Sequence, residues 1–315
     1  MKFTKLTSGA ALATVLAPGV LSAPSSLESR QAAVTDLDVL QFALTLEHLE
    51  NVFYKNALQR FSQADFLAAG FSNAFYQNLM FIAHDEEAHV QFLQQAITGA
   101  GGTPVAACDY NFPYTDIVTF VALSSVLEGV GVSAYLGGAP VITSKDILAA
   151  AGAILVAEGL HQSVQRTAIG EAASPNPVGT AVPPNAIFTI ASAFIKSCPE
   201  SNPPLPFQAF PTLKLTSDNP AAPGTVASFS FDPSLAIPAT PFITFVSGLD
   251  IVSVPAQVPS AGVATAAIPQ QAQGQIYAMM TNAEVSGSIV DSAIVAGPAI
   301  IEVTPPAPTV DFSIA

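Results

Sequence analysis

Two glutamates stand alone in apolar surroundings. From Ile117 to Ser144 the only charged side chain is Glu128, and from Ile147 to Gln165 the only formally charged one is Glu158. A carboxylate buried among apolar side chains is costly unless a cation, a proton or a hydrogen-bond network neutralises it. Whatever this chain folds into must supply those two groups with a partner.

The same arrangement occurs earlier in the chain. Glu47 is followed seven residues later by Tyr54 and then by Glu86-x-x-His89; Glu128 is followed seven residues later by Tyr135 and then by Glu158-x-x-His161. Ala-Ile pairs, Ala96-Ile97 and Ala168-Ile169, begin seven residues beyond each histidine. The chain reads as two copies of one helix pair. Residues three, four and seven apart share a helix face, so each Glu-His pair and each Glu-Tyr pair projects from one side. On the second helix the stripe Leu79, Ile82, Ala83, Glu86, His89, Leu93 and Ala96 is the buried one by periodicity, which aims the carboxylate and imidazole at the core.

One glutamate from each of two helices and a Glu-x-x-His from each of two others is the ligand set of ferritin-like di-iron and di-manganese bundles. On these motifs, residues from about 35 to about 198 resemble the fungal secreted ferritin-like proteins, relatives of plant desiccation-related proteins and of proteins of fungal stress and sexual development. The resemblance implies a metal site of Glu47, Glu86, His89, Glu128, Glu158 and His161 holding two iron or manganese ions. It also implies that the hydroxyls of Tyr54 and Tyr135 orient a ligand glutamate on the neighbouring helix. Glu50, three residues after Glu47 on nearly the same face, is a supporting or alternative ligand. Four carboxylates and two imidazoles without thiolate suit iron or manganese better than zinc. Four negative charges match two divalent cations. His48 points off the Glu47 face, toward solvent or a partner helix, and His84 with Glu87 reads as a surface pair, so both are left out of the site.

The formal charge of -14, with no basic residue after Lys214, argues against nucleic-acid or anionic-lipid partners. Residues 1–23 have the basic start, apolar middle and small-residue end of a signal peptide, and 24–34 is assigned no fold. For an exported chain, the two cysteines Cys108 and Cys198 predict a disulfide. Thr35 or Asp36 caps the first helix. The second starts after Ser72 and the third runs from about Thr115 to Leu136. The fourth runs from Ser144 or Lys145 to Gly170, and a fifth, amphipathic, covers NAIFTIASAFIKSCP. The turn-rich segment TPVAACDYNFPYT is long enough to cross the bundle's length between helices two and three, as ferritin-like bundles require. Helices three and four are apolar enough to suggest membrane spans, but their glutamates and the match to the other half favour burial in a soluble bundle and no transmembrane anchor.

Residues 199–211 read as a linker. From 212 to 315, short β-branched and aromatic runs between turn residues predict an antiparallel β-sandwich. The chain is thus an α+β protein, a ferritin-like bundle (35–198) followed by a β-sandwich. Tyr277 is a candidate corner tyrosine, and Asp232, Asp250, Glu284, Asp291 and Glu302 are expected in solvent. No catalytic residue beyond the metal ligands is expected. Two functions remain open: an exported dimetal oxidoreductase acting on Fe(II) with O2 or on peroxide, or a non-enzymatic extracellular protein whose bundle is metal-stabilised or vestigial and whose β domain contacts the cell wall or another protein.

Overall fold

A computed structural model describes residues 34–313; the expected leader and nearly all of the 24–34 segment lie outside the described residues. From Val34 onward the chain packs as one compact unit. Four long helices build the first part: α1 (Asp36–Arg60), α3 (Asn73–Gly99), α4 (Ile117–Gly138) and α5 (Lys145–Ala168), with a one-turn-and-a-half α2 (Gln63–Ala68) between the first two. Local chemistry sets their starts. Thr35 caps α1 in a reciprocal box with Asp38, Ser72 caps α3, Asp116 caps α4 in a box with Thr119, and Ser144 caps α5. In sequence, α2 was hidden inside the α1–α3 connection. Its Phe66 is fully buried and packs against Phe61, Phe71 and Tyr76.

α1 packs on α3 and α4 on α5. Tyr54 reaches Glu128 while Tyr135 reaches Glu47. Seven residues forward on α1 therefore lie level with seven residues backward on α4, and these two helices are antiparallel. The segment from 100 to 116 is the long crossover that this arrangement needs. It carries the short strand β1 (Asp109–Tyr110), which pairs with β2 (Ile195–Ser197). Here the structure corrects the expected fifth helix: α6 (Pro184–Ser192) ends early, and Ile195–Ser197 is strand. The Cys108–Cys198 disulfide, closing 90 residues, ties the same two segments.

The C-terminal part is two antiparallel four-stranded sheets. One holds β5 (Phe242–Ser247), β6 (Asp250–Pro255), β9 (Gly274–Thr281) and β10 (Ile294–Val303) in the order β10-β9-β5-β6. The other holds β3 (Leu213–Leu215), β4 (Val226–Phe231), β7 (Gln257–Ser260) and β8 (Val263–Ala267) in the order β3-β4-β8-β7. Leu213, Phe229, Phe245, Ile276 and Met280 meet between the sheets. β9 is buried on both faces, as its unbroken apolar run requires. Ile276, Ala278 and Met280 point into the sandwich, while the alternate residues Tyr277 and Met279 join the helical core with Phe53, Leu127 and Ile187.

Tyr277 is therefore no corner tyrosine: its hydroxyl lies within hydrogen-bond distance of Ser133 Oγ (2.8 Å) and of the Gly129 carbonyl (3.0 Å) on α4. Glu302 is likewise not solvated. It takes both guanidinium nitrogens of buried Arg166 at 2.7 Å, while Arg166 Nε donates to the Ala172 carbonyl. Burial raises the Glu302 carboxyl and Arg166 pulls it back down. α4 and α5 are each long and apolar enough to cross a membrane, yet both pack within the bundle. The burial argument holds for α4 and not for α5, whose Val156 and Leu160 are each 63 % exposed.

Removing Arg166 leaves a partly buried carboxylate without its partner. The Arg166→Met substitution should lower unfolding stability by about 3 kcal/mol in urea denaturation, and Arg166→Met with Glu302→Leu should recover most of it. Equal losses in the single and double variants would show that the ion pair is not the relevant contact.

Candidate metal centre

Each long helix delivers its polar residues from an otherwise apolar inner face. Glu47, Glu86, Glu128 and Glu158 are all at most 1 % exposed, and His161 is buried; His89 is slightly more open. Ligand atoms of Glu47, Glu86, His89 and Glu158 lie within 4.8 Å of one another, and so do those of Glu86, Glu128, Glu158 and His161. The two groups share Glu86 and Glu158. All six side chains singled out from the sequence thus converge, with one acid and one imidazole private to each group and two acids common to both.

Each imidazole turns Nδ1 toward the acids. His89 Nδ1 lies 3.2 Å from Glu47 and 3.5 Å from Glu158, and His161 Nδ1 lies 3.0 Å from Glu86 and 3.3 Å from Glu128. The tyrosines tie the acids across the bundle: Tyr135 donates to Glu47 Oε1 at 2.5 Å, and Tyr54 donates to Glu128 Oε1. Burial and the neighbouring carboxylates hold both phenols well above their ordinary range, which keeps them as proton donors.

Sequence reasoning missed two supports. Asp85 Oδ2 sits 3.3 Å from His161 Nε2, so a proton on that nitrogen leaves Nδ1 free to ligate. Buried Gln165 donates to the Tyr54 hydroxyl at 3.3 Å. Asp85 was masked by its exposed neighbour His84, and Gln165 by the absence of charge. Helical spacing carries a signal for Gln165, which lies seven residues after Glu158 on the same face, but none for Asp85. Gly131 is a further requirement, since a Cβ there would lie 2.2 Å from Glu158 Oε2 and 3.2 Å from Glu50 Oε1.

Glu50 is buried but belongs to neither group of ligand atoms. Burial first, then the charges of Glu86, Glu47 and Glu128, push its carboxyl well above the usual range. His48 faces neither solvent nor a partner helix: its Nε2 lies 3.1 Å from the Val105 carbonyl in the crossover, and burial lowers its pKa. Glu87 does not pair with His84 but with Lys55 on α1, at 3.3 Å.

The donor chemistry fits cations. Among the described residues, eight buried side-chain nitrogen or oxygen atoms make no well-aligned hydrogen bond, and six of them belong to this cluster, where they face one another: both oxygens of Glu86 and of Glu158, Glu128 Oε2 and His161 Nδ1. Such atoms are rare in a folded interior and call for a specific partner. With protons alone, burial and mutual repulsion raise Glu86 to about 7 and Glu158 well above its ordinary value. For the imidazoles, burial lowers the pKa but hydrogen bonds and charge from the acids outweigh it, raising His89 to about 10 and His161 to about 11.

A four-helix frame that gathers two overlapping acid-imidazole groups in a dry core defines a ferritin-like bundle with a candidate metal site. Residues 35–171 match the family described as "Ferritin-like domain". Over 182 residues the chain is 26 % identical to "Protein rds1" of Schizosaccharomyces pombe, an alignment covering 58 % of this chain and 44 % of that relative. The chain therefore spans less than half the length of that curated relative.

Metal and protons compete for this site, which sets opposite pH dependences. Raised folded-state pKa values contribute stability that is complete below the unfolded value, 4.5 for Glu86, and lost as pH rises through about 7; the histidines lose theirs at still higher pH. The melting temperature of chelator-stripped protein should fall from pH 5 to 8. With saturating Mn(II) it should rise over the same range, because ligation needs deprotonated acids and neutral imidazoles. Parallel slopes in calorimetry would rule out metal at these residues.

Proposed function

We propose that this chain holds two iron or manganese ions in the bundle and uses them as an exported oxidoreductase, oxidising Fe(II) with O2 or disposing of peroxide. The observation that carries the reading is the pair of overlapping ligand groups sharing Glu86 and Glu158, two buried acids whose near polar neighbours are the other ligands of the cluster. Carboxylates common to two groups are suited to bridging two ions, and two divalent charges balance the four acids of the shared cluster. Glu47 with His89, and Glu128 with His161, would hold one ion each, with Glu50 outside both groups.

A redox-active pair supplies electron storage for O2 or peroxide chemistry; the surrounding residues prepare the place for it. Tyr54 and Tyr135 fix one oxygen of Glu128 and Glu47, leaving the other oxygen of each carboxylate for a metal. Asp85 sets the tautomer of His161. Phe53, Phe120 and Leu79 exclude water from the surrounding core. Export fits the residues 1–23 expected as a leader and the Cys108–Cys198 disulfide, which forms in oxidising compartments. A role at the fungal cell surface in stress or development follows the resemblance stated on the sequence motifs.

Elemental analysis of protein secreted by a host cell tests the site, with two ions per chain expected. His89→Ala and His161→Ala should each remove about half of the metal, whereas Glu158→Ala, lost from both groups, should remove most of it. Activity is tested separately by O2 uptake on adding Fe(II) and by peroxide consumption. Full metal content without either reaction would replace the oxidoreductase with a metal-stabilised, non-enzymatic protein.

A further inference from the structure

One turn from the acid cluster lies a partly open cavity of about 230 Å³ lined by all four long helices and bordered by Pro184 and Phe207. Its position follows from the register of the ligands. Ala43 precedes Glu47 by four residues, Ile154 precedes Glu158 by four and Leu93 follows His89 by four, all three lining the cavity. Four residues of helix advance about 6 Å, so the cavity abuts the Glu47, His89 and Glu158 side of the centre. It exists because Ala43, Ala96, Ala134, Gly138, Ala150 and Ala151 meet there, and their side chains are too short to fill the space. Protein interiors are otherwise close-packed, and an unfilled void destabilises in proportion to its volume.

The walls are selective. Tyr135 is the lining residue that touches the acid cluster, and its hydroxyl is already donated to Glu47. Among the described residues, Asp146, exposed at the start of α5, is the only charged one lining the cavity, and exposed Phe92 stands at its edge. An occupant finds no cation to pair with and a carboxylate to repel an anionic head. An apolar cavity of about 150 Å³ takes benzene, so 230 Å³ corresponds by ratio to roughly nine carbon atoms.

We propose that this cavity is a binding site for a small neutral aliphatic molecule, such as a medium-chain alcohol or hydrocarbon, held one helical turn from the acid cluster with the Tyr135 ring between them. Binding itself does not depend on metal; only its relevance to catalysis rests on the oxidoreductase reading.

The test uses the full secreted chain, stripped of metal, titrated calorimetrically with 1-octanol and with octanoate. One 1-octanol per chain is expected, with octanoate at least tenfold weaker, and Asp146→Asn should narrow that gap. Ala150→Phe should fill the cavity and weaken 1-octanol at least tenfold while leaving the helical circular dichroism unchanged. Ala96→Leu, a smaller insertion from α3, provides the same reading if the phenylalanine variant does not fold. No 1-octanol binding up to its solubility, equal affinity for octanoate, or undiminished binding in the folded filled variants would each overturn the proposal. Because the titration needs no metal, its failure would leave the metal reading standing, and loss of metal binding would leave this one standing.

Discussion

The structure turns on five carboxyl groups, Glu47, Glu50, Glu86, Glu128 and Glu158, brought into one dry interior. Such a concentration of acid is tolerated only with compensation, and each surrounding feature supplies part of it. Two tyrosines cross the bundle to take one oxygen from each of two acids. Two imidazoles lie between acids of different helices, and burial with the neighbouring acids pushes the carboxyl of a fifth acid, Glu50, well above its usual range. What stays uncompensated is concentrated on Glu86 and Glu158, the pair common to both ligand groups. The remaining demand is for positive charge at that midpoint.

The β part is bound into this arrangement and is not merely appended to the bundle. β9 presents Tyr277 to the Gly129 carbonyl and to Ser133, and Gln275 donates to the Val126 carbonyl, so α4 is gripped on both sides of Glu128. Gly129 permits the approach: a Cβ there would meet Gln275 and Gln162 at 2.3 Å. On α5, Arg166 clamps Glu302 of β10 one residue beyond Gln165, which supports Tyr54. The sheet thus braces the two helices that carry the apolar stretches with isolated acids, one face in the sandwich core and the other in the helical core.

Much of the centre was legible because its signal is periodic. Helical spacing places Glu and His three apart, and Glu and Tyr seven apart, on one face, and the duplication of that pattern told the two helix pairs to converge. Where the signal was a single residue it was lost. Asp85 has the composition of a surface acid, and only the packing of α3 against α5 sets it beside His161. Glu302 sits in a solvent-like strand end, and nothing local announces Arg166, 136 residues away. Ile195–Ser197 continues the pattern of α6 but pairs with β1, because the disulfide and the crossover strand offer it a ladder.

The sequence alone determined which face of α1 and of α3 turns inward, roughly where the four long helices begin and which acids cannot remain in water, since these depend on composition and spacing within a few turns. Tertiary structure alone decided that Glu86 and Glu158 belong to both ligand groups while Glu50 belongs to neither. It also decided that small residues on four separate helices leave a common void. Those outcomes depend on distances between helices, and such distances come from the packing of all their side chains together, not from the order of residues along any one of them.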